Sequence, residues 1–125
     1  MGVTVVDASA IAAVLFCEAE AEPVLASISG SLVAPSLLVY ELASVCSTKL
    51  ARHPAEAQTI LARYRLFDQL DLELTEPAWQ ALPQLALEWA LSAYDAAYLQ
   101  LALARRAPLV TLDARLARAY DKARV

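Results

Sequence analysis

Four short apolar runs punctuate the chain, at Val3–Val6, Ser31–Ala34, Asp71–Thr75 and Leu109–Leu112, with long helix-patterned segments between them. Runs of this length read as buried strands. Strands that alternate with helical segments need crossover connections, which argues for a parallel sheet with helices on both faces. An α/β fold is therefore expected. Its clearest unit comes first: β-branched Val3–Val6 leads into the polar turn Asp7-Ala8-Ser9 and an alanine-rich helix reaching Glu18. Pro23, Pro35, Pro54 and Pro77 stand where helical patterns begin, and Pro108 opens a strand. Pro83 falls inside a helical pattern, which it should kink or split. With 125 residues and no repeat or linker, a single domain over residues 1–125 is expected.

Scarcities exclude several chemistries. Gly2 and Gly30 are the only glycines, so neither the dinucleotide fingerprint nor the P-loop, which need several, can be present. One histidine, His53, cannot build a multi-His metal site. Cys17 and Cys46 lack zinc spacing and read as small core residues, in keeping with a reducing cytoplasm. The apolar run Ala10–Cys17 is far short of the roughly 18 residues of a membrane span, and no basic segment precedes it as in an export signal. A cytoplasmic protein with no membrane partner is expected.

The acids then stand out by position. Asp7 and Asp113 each follow a strand and open a helix, at the carboxyl ends where open parallel sheets bind ligands. Either could also serve as an ordinary helix N-cap. Glu41 shares a helical stripe with Leu38, Leu42 and Val45, and residues 1–48 contain no Lys or Arg to pair with it locally. A distant arginine or a place at the edge of the stripe is the structural alternative. Asp95 opens a nearly all-apolar helix whose face continues through Tyr98, Leu99 and Ala102; with Ser92 it also matches a capping box.

Four carboxylates near one sheet edge cannot all stay ionised unaided, because each raises the others' pKa. A hard divalent cation resolves this. Mg²⁺ takes oxygen ligands and pairs with phosphate substrates, whereas zinc would want the His and Cys that are missing. The formal charge of −4 fits the same picture: without these four acids, the remaining ten match the ten Lys plus Arg.

The order and spacing of Val5–Ser9 (VVDAS), Ser36–Ala43 (SLLVYELA), Ser92–Ala102 (SAYDAAYLQLA) and Leu109–Leu116 (LVTLDARL) resemble the PIN-domain ribonucleases, specifically toxins of the VapC type. The resemblance spans almost the whole chain. It implies a three-layer sandwich whose central parallel sheet has four strands, or five. Relatives usually add a final strand, and this chain ends at Val125 just after its last helix, so a fifth strand is expected to be absent or shortened. It implies that Asp7, Glu41, Asp95 and Asp113 form the catalytic, metal-binding centre, with Ser9 and Thr111 as supporting hydroxyls. It further implies endonucleolytic RNA cleavage with Mg²⁺ or Mn²⁺, a homodimer, and inhibition by a cognate antitoxin.

Other features carry two readings each. Lys49 and Arg52 follow Glu41 on its helix, and Arg115, Arg118 and Lys122 form a basic stripe on the last one; they contact RNA phosphate or merely solvate their helices. His53 reads as a solvated loop residue. Trp79, Trp89, Tyr40 and Tyr64 read as packing or interface aromatics, as does Tyr94, for which base stacking is the lesser alternative. The 59% hydrophobic content suits a core plus an interface. Against the ribonuclease stand a non-catalytic binding module and another acidic-site phosphotransfer domain. A receiver would want adjacent acids after its first strand and a phosphatase D-x-D, whereas Ala8 and Ser9 follow Asp7.

Overall fold

The computed structural model describes residues 2–125. Strand β1 (Val3–Val6) is followed by helices α1 (Ala8–Leu15) and α2 (Ala21–Ser27), and β2 (Ser31–Pro35) by α3 (Leu38–Arg52) and α4 (Ala57–Arg65). Strand β3 (Leu72–Thr75) precedes α5 (Leu82–Trp89) and α6 (Ala93–Arg105), and β4 (Leu109–Val110) precedes α7 (Ala114–Ala123). Every strand pair is parallel, in the order β3-β2-β1-β4. Helix α1 packs against α2 and α3, and α3 against α4, while α6 lies on β1, β2 and β4 with α5 and α7 beside it. This is the expected three-layer α/β sandwich, with four strands among the described residues. None of the helices described is long and apolar enough to cross a membrane.

The order of the strands positions the site. The chain steps outward from β1 to β2 and β3, then returns to lay β4 on the other side of β1. The carboxyl ends of β1 and β4 therefore flank the switch point, where such sheets bind ligands. Central β1 is covered on both faces, so Thr4, Val5 and Val6 are fully buried. Thr4 fits because its hydroxyl donates to Ser29 O at 2.6 Å and accepts from Ser29 N at 3.2 Å. Gly30 sets the entry to β2 with φ +73°: a Cβ there would stand 2.0 Å from Gly2 O. Val33, Leu38, Leu42, Leu99 and Leu116 complete the core around β1.

Several local expectations are corrected. Pro35 does not open a helix; it ends β2, a place that tolerates a missing N–H, and Ser36 N extends the pairing to Thr75 O at 2.7 Å. Helix α3 begins only at Leu38. Pro77 lies in the irregular link after β3, two residues before a 3₁₀ turn at Trp79–Ala81 that is followed by α5. Pro83 thus occupies the first turn of α5, where its absent N–H has no intrahelical acceptor. Cys46 is buried as expected, but Cys17 is exposed, since the chain reverses after α1 through a left-handed Cys17 with φ 55°.

Candidate active site

Asp7 is placed by β1 and oriented by three donors. Its N–H donates to Val110 O at 3.3 Å, continuing the β1–β4 pairing to the residue itself. Its side chain is 5% exposed. Oδ1 accepts from Ala10 N at 3.0 Å, capping α1, and from the Ser9 hydroxyl at 2.7 Å, while Oδ2 accepts from the Thr111 hydroxyl. The helix cap and the two hydroxyl donors therefore meet on one residue.

The two hydroxyls are themselves fixed. Ser9 Oγ accepts from Leu112 N at 2.9 Å and Thr111 Oγ1 from Asp113 N at 3.0 Å. Each takes a backbone N–H and gives its proton to Asp7. This exchange explains why β4 is shorter than the run Leu109–Leu112: beyond Val110 the backbone donors turn to side chains. Asp113 then caps α7, with Oδ1 accepting from Arg115 N at 2.9 Å and Leu116 N at 3.1 Å.

Glu41 lies in the first turn of α3, half-buried, where Oε1 accepts from the Tyr98 hydroxyl at 2.5 Å. Tyr98, on α6, is 1% exposed. Burial and the neighbouring Glu41 hold its phenol far above the ordinary value, so it remains a donor. Sequence reasoning had set Tyr98 on the face of Asp95 and missed its part in the site. The available signal was its position three residues after Asp95, on the same helical face. Asp95 sits in the first turn of α6, and its N–H donates to Ser92 Oγ at 3.0 Å, one half of the capping box.

Three of the acids are held above their ordinary values. Burial raises the Asp7 carboxyl above its ordinary value against its three hydrogen bonds, and Asp113 adds to the rise. Glu41 is raised by burial, against the Tyr98 hydrogen bond, and by Asp95 and Asp7. Asp95 is raised by burial and by Asp113 and Asp7, with Ser92 and Arg115 opposing. All four acids, Ser9, Thr111 and Arg115 thus share one neighbourhood.

The donors are oxygen only, which suits a hard cation. Among the described residues, no three His, Cys, Asp or Glu side chains close tightly enough to enclose a metal ion by themselves. An open arrangement fits Mg²⁺, which keeps several waters and takes only one or two carboxylates together with substrate phosphate. The mutual elevation of the acids is the unfavourable charge that such an ion would relieve.

The basic candidates divide. Lys49 is tied to Glu18 at 2.7 Å and lies 5.0 Å from the centre of the Phe16 ring. With Arg52 it lines a groove of about 470 Å³ that also reaches Ser9 and Leu112 at the edge of the acidic site. Arg115 is close enough to Asp95 to favour its charge, and Arg118 is exposed one turn further along α7. His53 contacts Glu56 at 3.7 Å, away from the acids. Of the aromatics, Trp89 and Tyr64 pack on the core, whereas Trp79, Tyr40 and Tyr94 are exposed.

The crystal structure of PAE2754 from Pyrobaculum aerophilum matches with a TM-score of 0.76 at 21% identity, over 94% of this chain and 84% of that one. That likeness concerns the fold. No curated protein matches the sequence. The family model described as PIN domain matches residues 4–122. PIN domains are generally nucleases and usually employ divalent metal ions. With the match running over nearly its whole length, the chain belongs to the PIN domain family.

Proposed function

We propose that residues 1–125 form a single catalytic unit, a metal-dependent endoribonuclease that acts in the cytoplasm as a toxin of the VapC type. One observation carries this reading: carboxylates from four separate elements gather at the switch point of a parallel sheet, where burial and neighbouring charge raise Asp7, Glu41 and Asp95 above their ordinary values. Asp7, Glu41, Asp95 and Asp113 would hold Mg²⁺ or Mn²⁺. A divalent cation there supplies positive charge against a phosphodiester and acidifies water. Ser9 and Thr111 keep the Asp7 carboxylate in one orientation, and Tyr98 does the same for Glu41. Arg115 favours the ionised form of Asp95 and offers a cation beside the acids. Lys49, Arg52 and Arg118 are the remaining candidates for phosphate contact.

Exposed Trp79 and Leu87 support a homodimer or a covering antitoxin, since two large apolar side chains in water favour a partner. Light scattering of the purified chain should give the mass of a dimer, and a strict monomer at high concentration counts against it. The deciding experiment is RNA cleavage with Mg²⁺ or Mn²⁺. Activity should vanish with EDTA and with Asp7→Asn; cleavage that survives both overturns the mechanism.

A further inference from the structure

Tyr40 and Tyr94 stand immediately before Glu41 and Asp95, on helices α3 and α6. The acids turn inward and the tyrosines outward. Tyr40 is 78% exposed and Tyr94 66%, and neither belongs to the hydrophobic core. Both line one recess of about 410 Å³, whose wall also contains Leu37, Ser44 and Glu41. Two large rings are thus held in water at the border of the acidic centre, where neither contributes to folding through burial.

The chemistry of the wall restricts the occupant. None of the side chains that line the recess is a Lys or Arg, so the recess itself offers phosphate and acidic side chains no ionic partner. A planar neutral group with polar edges suits two phenol rings and the Ser44 hydroxyl. A phosphodiester that reaches the neighbouring acids brings such a group with it, because each phosphate is joined through ribose to a base. Aromatic side chains stack on any base, since every base has a π face. In a duplex those faces are covered by adjacent pairs, so only an unpaired strand can present one.

We infer that Tyr40 and Tyr94 form a nucleobase-binding recess beside the carboxylates, which selects RNA with an unpaired base next to the phosphate to be cut. The inference rests on the nuclease reading and names two positioning residues for it.

The test uses the full chain with a labelled single-stranded RNA oligomer, its duplex, and an abasic ribose-phosphate strand of equal length, at low salt with EDTA so that nothing is cut. The single strand should bind best. Tyr40→Ala and Tyr94→Ala should each weaken it about tenfold, and Tyr→Phe at either position should restore most of the loss. Abasic strand should bind weakly and equally to every variant. Unchanged single-strand binding in the alanine variants overturns the recess, and so does an equal loss on the abasic strand. A change in the mass of the RNA-free variants by light scattering also overturns it, because the tyrosines then join protein copies. Asp7-dependent cleavage with tyrosine-independent binding removes the recess and leaves the nuclease. A tyrosine-dependent preference for bases, without cleavage in Mg²⁺ or Mn²⁺, supports the recess and removes the nuclease.

Discussion

Tyr98 and Glu41, 57 positions apart in sequence, meet between α6 and α3 through a 2.5 Å hydrogen bond from the phenol to the carboxylate. Without the hydroxyl, a half-buried carboxylate loses its side-chain donor. Tyr98→Phe should therefore lower stability by about 1 kcal/mol, read from urea unfolding. Glu41→Gln in the Tyr98→Phe background should recover part of it by removing the charge. An unchanged midpoint in Tyr98→Phe would show that the bond contributes nothing net.

Stability without divalent ions should depend on pH in an unusual direction. The carboxyls of Asp7, Glu41 and Asp95 are raised above 3.8, 4.5 and 3.8, chiefly by burial. The folded chain then holds protons more firmly than the unfolded one, so these groups destabilise it as pH climbs through the raised range. Protein in EDTA should melt higher at about pH 5 than at about pH 7.5, and Mg²⁺ should narrow the gap by stabilising the ionised state. The opposite slope in EDTA counts against a cluster of elevated acids.

Asp7→Asn keeps the size of the side chain and removes its charge. RNA cleavage should fall by at least about a hundredfold, as when a preorganised charge is lost from an active site. The thermal midpoint in EDTA should stay level or rise, because a charge is removed from a buried place and repulsion from Asp113 is relieved. The Mg²⁺-induced rise in melting temperature should shrink. Full activity in this variant would detach Asp7 from the chemistry.

Thr111→Val is nearly isosteric but deletes a hydroxyl that links Asp7 Oδ2 to Asp113 N. It leaves one donor and one acceptor unmet, at about 1–3 kcal/mol in chemical unfolding. Cleavage should fall as well, through misorientation of Asp7. Ser9→Ala should act in the same sense, since Ser9 bridges Leu112 N to Oδ1.

Arg115→Gln and Arg118→Gln should each weaken RNA binding without regard to sequence. Each should also reduce the steepness of the salt dependence by about 0.7 if its guanidinium meets a single-strand phosphate. Titrations at several salt concentrations read this directly. An unchanged slope assigns that arginine to helix solvation alone.

Much of this was legible in the chain because it depended on local patterns. The β1 run and its abrupt passage into Asp7 identified the first βα unit, and β2 differs from its expected run only by including Pro35. The four acids were legible by position, each at the mouth of a helix. What escaped was made of pairings between distant segments. Tyr98 was legible only as part of the face that continues from Asp95, because its partner Glu41 lies on another helix. Cys17 looked like core because a left-handed reversal leaves no apolar signature, and here no glycine marks it. Pro35 looked like a helix start because proline also suits a strand end. Lys49 read as a phosphate contact or a solvated helix residue because Glu18, its partner, lies 31 positions earlier.

The pairing of β1 with β4 also bears on biosynthesis. Val5 meets Leu109 and Val6 meets Val110, so the first of the four described strands waits for the last. Asp7 and Asp113 can face each other only after that long loop closes. While β4 is still inside the exit tunnel, Asp7 has neither Asp113 beside it nor the Thr111 hydroxyl that orients it. The cluster of acids is thereby completed only once the segment through Asp113 is free to fold against β1.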